Sequence, residues 1–289
     1  MTEPRELRWR SSDGLNLVAS EYGGKDSGKL PVICIPGLTR NARDFEEVAP
    51  RIASLGRHVI AVDLRGRGRS DRDPDPRRYA PPTYANDMVS LLDSLALPRA
   101  LFVGTSLGGI VTMSLASKHL DRIGGAVLND VGPVIAKAGL ARISGYAGKT
   151  PTVKSWADAV AYARQTNGVA FPGNTDADWE AFVRRTFKEG PQGAPVLDCD
   201  PQVFRPVHPL LTWLLTPLVW GLFRKLANGR KCLLVRGAIS DVLSVETAAR
   251  MRREAKEMAY VEIENVGHAP TLSEPAAKES LDRFFAEAP

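Results

Sequence analysis

The sequence predicts an α/β protein built on a doubly wound, mostly parallel sheet, and three observations carry that expectation. Apolar runs of strand length alternate with stretches of helical spacing from Leu30 to Asn129, and again from Cys232 to the C-terminus. One alternation is unusually sharp: Leu101-Phe-Val103 is a short buried strand, Leu107 to His119 is helical, and Gly104-Thr-Ser106-Leu-Gly108 is the break between them. From about Val134 to Gly229 the rhythm stops. Residues 1–133 and 230–289 are therefore expected to form the core, and 134–229 a helical cap laid over the ends of the strands.

Taken in order, Glu6–Arg10 and Leu15–Tyr22 alternate about the turn signal Ser11-Ser-Asp-Gly14, which predicts an opening hairpin. Leu30–Ile35 is a buried strand ending at Pro36-Gly37. Asn41–Leu55 has helical spacing through Phe45, Val48, Ile52 and Leu55, and His58–Leu64 is the next strand. After an Arg/Pro loop, Tyr84–Leu95 is amphipathic, with Met88, Leu91, Leu92 and Leu95 on one face. The serine strand and its helix come next, then a strand at Gly125–Asn129. Within 134–229, helical patches stand out at Trp156–Arg164 and Asp178–Phe187, beside an apolar tract around Trp213 and Trp220. The chain closes with a strand at Cys232–Val235, a helix at Val245–Ala255, a strand at Ala259–Ile263 and a helix at Glu274–Ala286.

At 289 residues the chain can bury a sizeable core, and its 44% hydrophobic and 25% charged fractions are those of an ordinary globular protein. The net charge of +5 raises nucleic acid as a partner. Much of the excess lies in Arg65-Gly-Arg-Gly-Arg69 and Arg72–Arg78, where Asp71, Asp73 and Asp75 are interleaved without aromatic or helical periodicity. A solvated Arg-rich loop is the expectation, with no nucleic-acid partner. Cys34, Cys199 and Cys232 are too widely spaced for a disulfide framework or a zinc site. The tract Pro209–Phe223 is short for a bilayer crossing and carries Pro217, so no membrane span is expected. Met1-Thr-Glu-Pro-Arg-Glu6 lacks the basic start and apolar run of a signal peptide, which makes the cytoplasm the expected compartment.

A serine between a strand and a helix, with glycine two residues to either side, suits a strained turn that holds its hydroxyl out of the fold. The pentapeptide alone arises by chance in about one chain in ten at this length. Its placement is therefore the stronger half of the signal. A serine hydroxyl is a poor nucleophile without a base, and the base needs an orienting partner. Among the four histidines, His268 follows a predicted strand in Asn265-Val-Gly-His-Ala-Pro270, at the strand end an active site in a parallel sheet uses. Two aspartates end strands at the same edge: Asp241, in Arg236-Gly-Ala-Ile-Ser-Asp241, and Asp130, in Leu128-Asn-Asp-Val-Gly132. Asp241 gives the order Ser, Asp, His along the chain and is the expected triad acid, with Asp130 the alternative.

With these residues in place the chain resembles the α/β-hydrolase superfamily over essentially its whole length. Ile35-Pro-Gly-Leu38, Asp63-Leu-Arg-Gly-Arg-Gly-Arg-Ser70, Gly104-Thr-Ser-Leu-Gly-Gly109, Ser240-Asp241 and Gly267-His-Ala-Pro270 stand in family order. The resemblance implies an eight-stranded sheet with an antiparallel second strand and a helical cap after the sixth. It also implies an oxyanion hole from the backbone N–H groups of Leu38 and Leu107. Where many relatives have His-Gly, this chain has Pro36-Gly37, which keeps the backbone donor but drops a bracing side chain. Relatives with a similar Asp-x-Arg-Gly loop include epoxide hydrolases and haloalkane dehalogenases, which use an aspartate nucleophile. Ser106 argues against both chemistries, since a serine ether could not be released by water at a carboxylate carbon.

The expected function is a cofactor-independent serine hydrolase of a small ester, lactone or related acyl compound, with Ser106 attacking, His268 as base and Asp241 orienting it. The same groups would serve C–C bond hydrolysis or perhydrolysis. A non-catalytic ligand-binding protein of this fold is the alternative from another class. Trp213, Trp220 and Phe223 would give the cap an apolar inner face suited to an apolar acyl substrate. Gly66-Arg-Gly68 and Gly148-Lys-Thr150 fail as dinucleotide and phosphate-loop motifs, and no pair of ligand residues has metal spacing, so neither a cofactor nor a metal is expected. A homodimer is compatible with all of this.

Overall fold

The four residues of Val-Ile-Cys-Ile at 32–35 are all buried, as they must be in a strand covered on both faces. The computed structural model describes residues 3–24, 28–191, 193–204 and 209–289, without the side chains of 209–213. Its main sheet has eight strands: β1 (Arg5–Arg10), β2 (Asn16–Tyr22), β3 (Val32–Ile35), β4 (Val59–Asp63), β5 (Ala100–Thr105), β6 (Ile123–Asn129), β9 (Lys231–Gly237) and β10 (Ala259–Ile263). Two further strands, β7 (Phe187–Glu189) and β8 (Pro195–Leu197), form a separate hairpin. The sheet order is β1-β2-β4-β3-β5-β6-β9-β10. β2 runs antiparallel to both its neighbours and the remaining pairs are parallel.

Alternation along the strands sends Ile33, Ile35, Phe102 and Leu234 to one face and Val32, Cys34, Leu101 and Leu233 to the other. The first face is covered by α2 (Pro81–Ser94), α3 (Leu107–Lys118) and α8 (Val245–Glu254). The second is covered by α1 (Val48–Ser54) and α9 (Pro275–Glu287). Between β6 and β9 lie α4 (Lys137–Tyr146), α5 (Trp156–Asn167), α6 (Asp176–Thr186), the small hairpin and α7 (Pro209–Ala227). α5 and α6 each begin with a capping box, Ser155 with Asp158 and Thr175 with Asp178. They enclose an apolar cluster of their own around Phe171, Trp179 and Phe187.

Two expectations are corrected. The tract expected in the cap's inner face is one helix, α7, which packs on α3, and its Trp220, Phe223 and Leu226 are buried in the main core with Val111 and Leu115. Burying such large apolar groups under α3 is worth more than leaving them at a cleft wall. The Arg-rich loop is not solvated at Arg65 and Arg67, each 1% exposed. Arg65 forms ion pairs with Asp13, Asp73 and Asp87. The hairpin β7/β8 and helix α4 were not expected. Among the described residues, no helix is long and apolar enough to cross a membrane.

Candidate active site

Ser106 sits at φ +52°, ψ −113°, between the end of β5 and the first residue of α3. The turn is this tight because strand and helix almost touch. A Cβ on Gly104 would lie 2.4 Å from the Gly108 carbonyl carbon, and one on Gly108 would lie 2.1 Å from the Ile35 carbonyl oxygen. The Ser106 N–H donates to the Asn129 carbonyl (3.0 Å), which ties the turn to the end of β6.

His268, on the loop after β10, has Nε2 2.8 Å from Ser106 Oγ and Nδ1 2.8 Å from Asp130 Oδ2. A carboxylate only accepts, so Nδ1 carries the imidazole proton and Nε2 is left to accept the serine proton. Asp130 immediately follows β6, is fully buried, and has a left-handed backbone at φ +53°. Its N–H donates to Val235 O (2.8 Å), while its carboxylate accepts from the Gly237 N–H (3.0 Å) and the Ser240 hydroxyl (2.6 Å). Three donors converge on one buried carboxylate, which satisfies its charge and locks its direction.

The expectation that Asp241 orients the histidine is corrected by this geometry. Asp241 turns toward α4, where Arg142 grips it through Nε (2.6 Å) and Nη2 (2.8 Å), and its carbonyl accepts from the Gly139 N–H (2.9 Å). Ser240, one residue earlier, faces the other way and reaches Asp130. Burial pushes the Asp241 carboxyl up, but the Arg142 hydrogen bonds, the Arg142 charge and the nearby His268 outweigh it, so the net shift is downward. The order Ser, Asp, His holds for both aspartates and could not separate them.

Leu107 is the first residue of α3, so its N–H belongs to the helix-end donors without an intrahelical partner. Leu38 lines the cavity beside Ser106, and its carbonyl accepts from Arg67 Nε (2.9 Å). That cavity has a volume of about 410 Å³, within the usual range for small-molecule sites. Its apolar wall is made by Tyr146, Tyr162, Phe171, Phe182, Phe187 and Leu197. Trp220 and Phe223 do not line it, and the Trp213 side chain lies outside the described residues. Among the described residues, no group of three or more His, Cys, Asp or Glu could hold a metal ion.

Two contributors were missed from sequence. Asn129, fully buried, donates through Nδ2 to Pro270 O (2.8 Å) and Thr105 Oγ1 (3.1 Å), joining the histidine loop to the serine strand. Ser240 holds the Asp130 carboxylate. The signal for both was an Asn-Asp pair closing a buried strand, where an unpaired amide is costly unless something is built around it.

The order of the strands and the serine, histidine and aspartate gathered at their C-terminal ends define an α/β hydrolase. The model of the alpha/beta hydrolase family matches residues 32–278, and the chain belongs to that family. It is 34% identical over 281 residues to a 3-hydroxybutyrate-oligomer hydrolase of Cupriavidus necator, covering 95% of this chain and 94% of that one. A crystal structure of an alpha/beta hydrolase from Novosphingobium aromaticivorans is 38% identical, with a TM-score of 0.90 and 99% of each chain covered. Over a shorter stretch, 44% of this chain and 46% of the relative, it is 35% identical to a non-heme chloroperoxidase of Streptomyces lividans.

Proposed function

We propose that this hydrolase cleaves small esters through a Ser106–His268–Asp130 triad, and that short hydroxy-acid oligoesters are its substrate class. The hydrogen-bonded relay of 2.8 Å and 2.8 Å from Ser106 through His268 to Asp130 carries the proposal. His268 Nε2 takes the Ser106 proton as Oγ adds to the ester carbonyl, and Asp130 stabilises the resulting imidazolium. The Leu38 and Leu107 N–H groups receive the oxyanion, each such donor being worth about 3 kcal/mol. Collapse expels the alcohol, which takes its proton from His268 and leaves an acyl-serine. Water, deprotonated by the same nitrogen, then releases the acid and restores the serine. The substrate class is drawn from the relative that hydrolyses 3-hydroxybutyrate oligomers. An aromatic and aliphatic cavity wall suits its methyl-bearing units.

The test is hydrolysis of the 3-hydroxybutyrate dimer and of an activated short-chain ester by the wild-type protein and Ser106→Ala, with a fluorophosphonate probe as a label of the serine. Turnover and labelling are expected in the wild type and neither in the variant. Full activity in Ser106→Ala would overturn the serine mechanism. Cleavage of conjugated diketones, or peracid formation, in preference to ester hydrolysis would overturn the substrate class.

A further inference from the structure

We infer that the cavity carries an anion subsite, formed by Arg72 and Lys149, that receives the free carboxylate of a hydroxy-acid ester. It rests on the ester-hydrolase proposal and adds to it which end of the substrate is recognised and by what. Five cationic side chains line the cavity, and three already have carboxylate partners: Arg40 with Asp44, Arg185 with Glu47, and Lys188 with Asp198. Arg72 and Lys149 have none among the described residues, and both are exposed.

Both line the cavity close to one stretch of its wall, residues 199–204. Burial pushes the Cys199 thiol up, and among the charges that act on it are Arg67 and, more weakly, Arg72, both opposing that push, with Asp198 and Asp200 adding to it. Gly148, next to Lys149, packs near Pro201 O and Phe204. Cys199 and Pro201 also line the cavity. Residues 198–200 are themselves bound to the loop that leads to Arg72, through Gly68 N–H to Asp198 O (3.0 Å) and Asp200 N–H to Gly66 O (2.7 Å). The wall also bears Asp200, whose carboxylate accepts from the Tyr79 hydroxyl and the Gln202 N–H, both at 2.9 Å. Asp198, beside the same stretch, is already paired with Arg43 and Lys188, so two uncommitted cations stand against the hydrogen-bonded Asp200.

An oligoester of hydroxy acids has an apolar body and, at neutral pH, one terminal carboxylate. The cavity offers the matching arrangement: aromatic and aliphatic side chains near the nucleophile and free cations on one wall. A guanidinium can meet a carboxylate with two parallel N–H bonds, and the lysine adds a mobile point charge. The subsite therefore selects free acids over neutral esters of the same length.

The experiment compares kcat/KM for the 3-hydroxybutyrate dimer and its methyl ester in the wild type, Arg72→Gln, Lys149→Gln and the double variant. A preference of about tenfold for the free acid is expected, the scale of a charge-assisted hydrogen bond. The double variant should lose that preference while cleaving the methyl ester within about twofold of wild type, as befits changes at exposed positions. Measurable cleavage of both compounds at equal rates in the wild type, or equal slowing of both in the variants, would overturn the subsite. The same pair is titrated calorimetrically against Ser106→Ala. Tighter binding of the free acid than of the methyl ester there supports the subsite even if neither compound is cleaved, an outcome that would sink the hydrolase proposal alone. No difference in binding overturns the subsite by itself.

Discussion

Arg67 Nε donates to the carbonyl oxygen of Leu38 over 2.9 Å, from a guanidinium that is otherwise buried between Tyr79 and Tyr84. A second nitrogen of the same group donates to Arg65 O (2.8 Å) and the Tyr84 hydroxyl (2.7 Å), so the arginine cannot swing. It fixes the Leu38 residue, whose N–H is one of the two proposed oxyanion donors. Arg67→Met should lower kcat by about a hundredfold, the cost of a misplaced group near the reacting atoms, with KM changed far less. Inhibition by a boronate that mimics the tetrahedral intermediate should weaken in parallel with kcat. A merely structural role would leave boronate affinity intact in the folded fraction.

Asp130 and Asp241 make opposite predictions. Replacing the first with Asn offers an amide donor to His268 Nδ1 and favours the wrong tautomer, so kcat should fall about ten-thousand-fold with the fold retained. Asp241→Asn leaves the relay untouched and should keep kcat within about threefold, the spread of ordinary partly exposed substitutions. Steady-state kinetics on one activated ester checks both. The reverse ranking would return the role to Asp241.

What was legible in the sequence follows from what sets each feature. Strand β3 and the serine turn were readable because burial on both faces demands unbroken apolar runs and close approach demands glycine at 104 and 108. Ser106 and His268 were readable because each follows a strand at the sheet edge formed by the C-terminal strand ends. The acid was not, because Asp130 and Asp241 end adjacent strands, and only the direction each side chain takes separates them. That direction depends on Arg142, supplied by a helix more than ninety positions away whose pattern gave no warning. Trp220 and Phe223 misled for a related reason: an apolar helix face reads the same whether it lines a cleft or packs on α3.

A glycine beside Ser106, with a second elsewhere as contrast, tests how closely strand and helix approach there. Gly108→Ala places a Cβ 2.1 Å from the Ile35 carbonyl oxygen, a backbone atom that cannot move without dragging β3. It should destabilise the protein by about 3 kcal/mol, measured as a lower urea midpoint or as loss of soluble protein. Gly168→Ala is the contrast, since Gly168 is helical at φ −57°, ψ −33° and its added Cβ meets nothing within 4 Å. There the smaller entropy of the unfolded chain should raise stability by about 0.5 kcal/mol.

The Arg142–Asp241 pair ties α4 to the loop after β9, beside the histidine, and its pH dependence has a definite sign. The Asp241 carboxyl is held below the ordinary aspartate value of 3.8 in the folded chain, with burial opposing and Arg142 and His268 prevailing. A depressed carboxyl contributes stability that is complete above 3.8 and lost as pH falls through the lower folded value. Asp241→Asn should therefore unfold more easily by about 1 kcal/mol at pH 7, a gap that does not shrink down to pH 5 and closes only below the ordinary value. Urea midpoints of the two proteins from pH 7 to pH 3.5 measure it. Hydrogen exchange should be faster at 137–146 in the variant at pH 7, because the helix loses its charged anchor while the relay behind it is unchanged. A gap that shrank between pH 7 and pH 5 would mean that a group titrating in that range, rather than Asp241, controls the docking of α4.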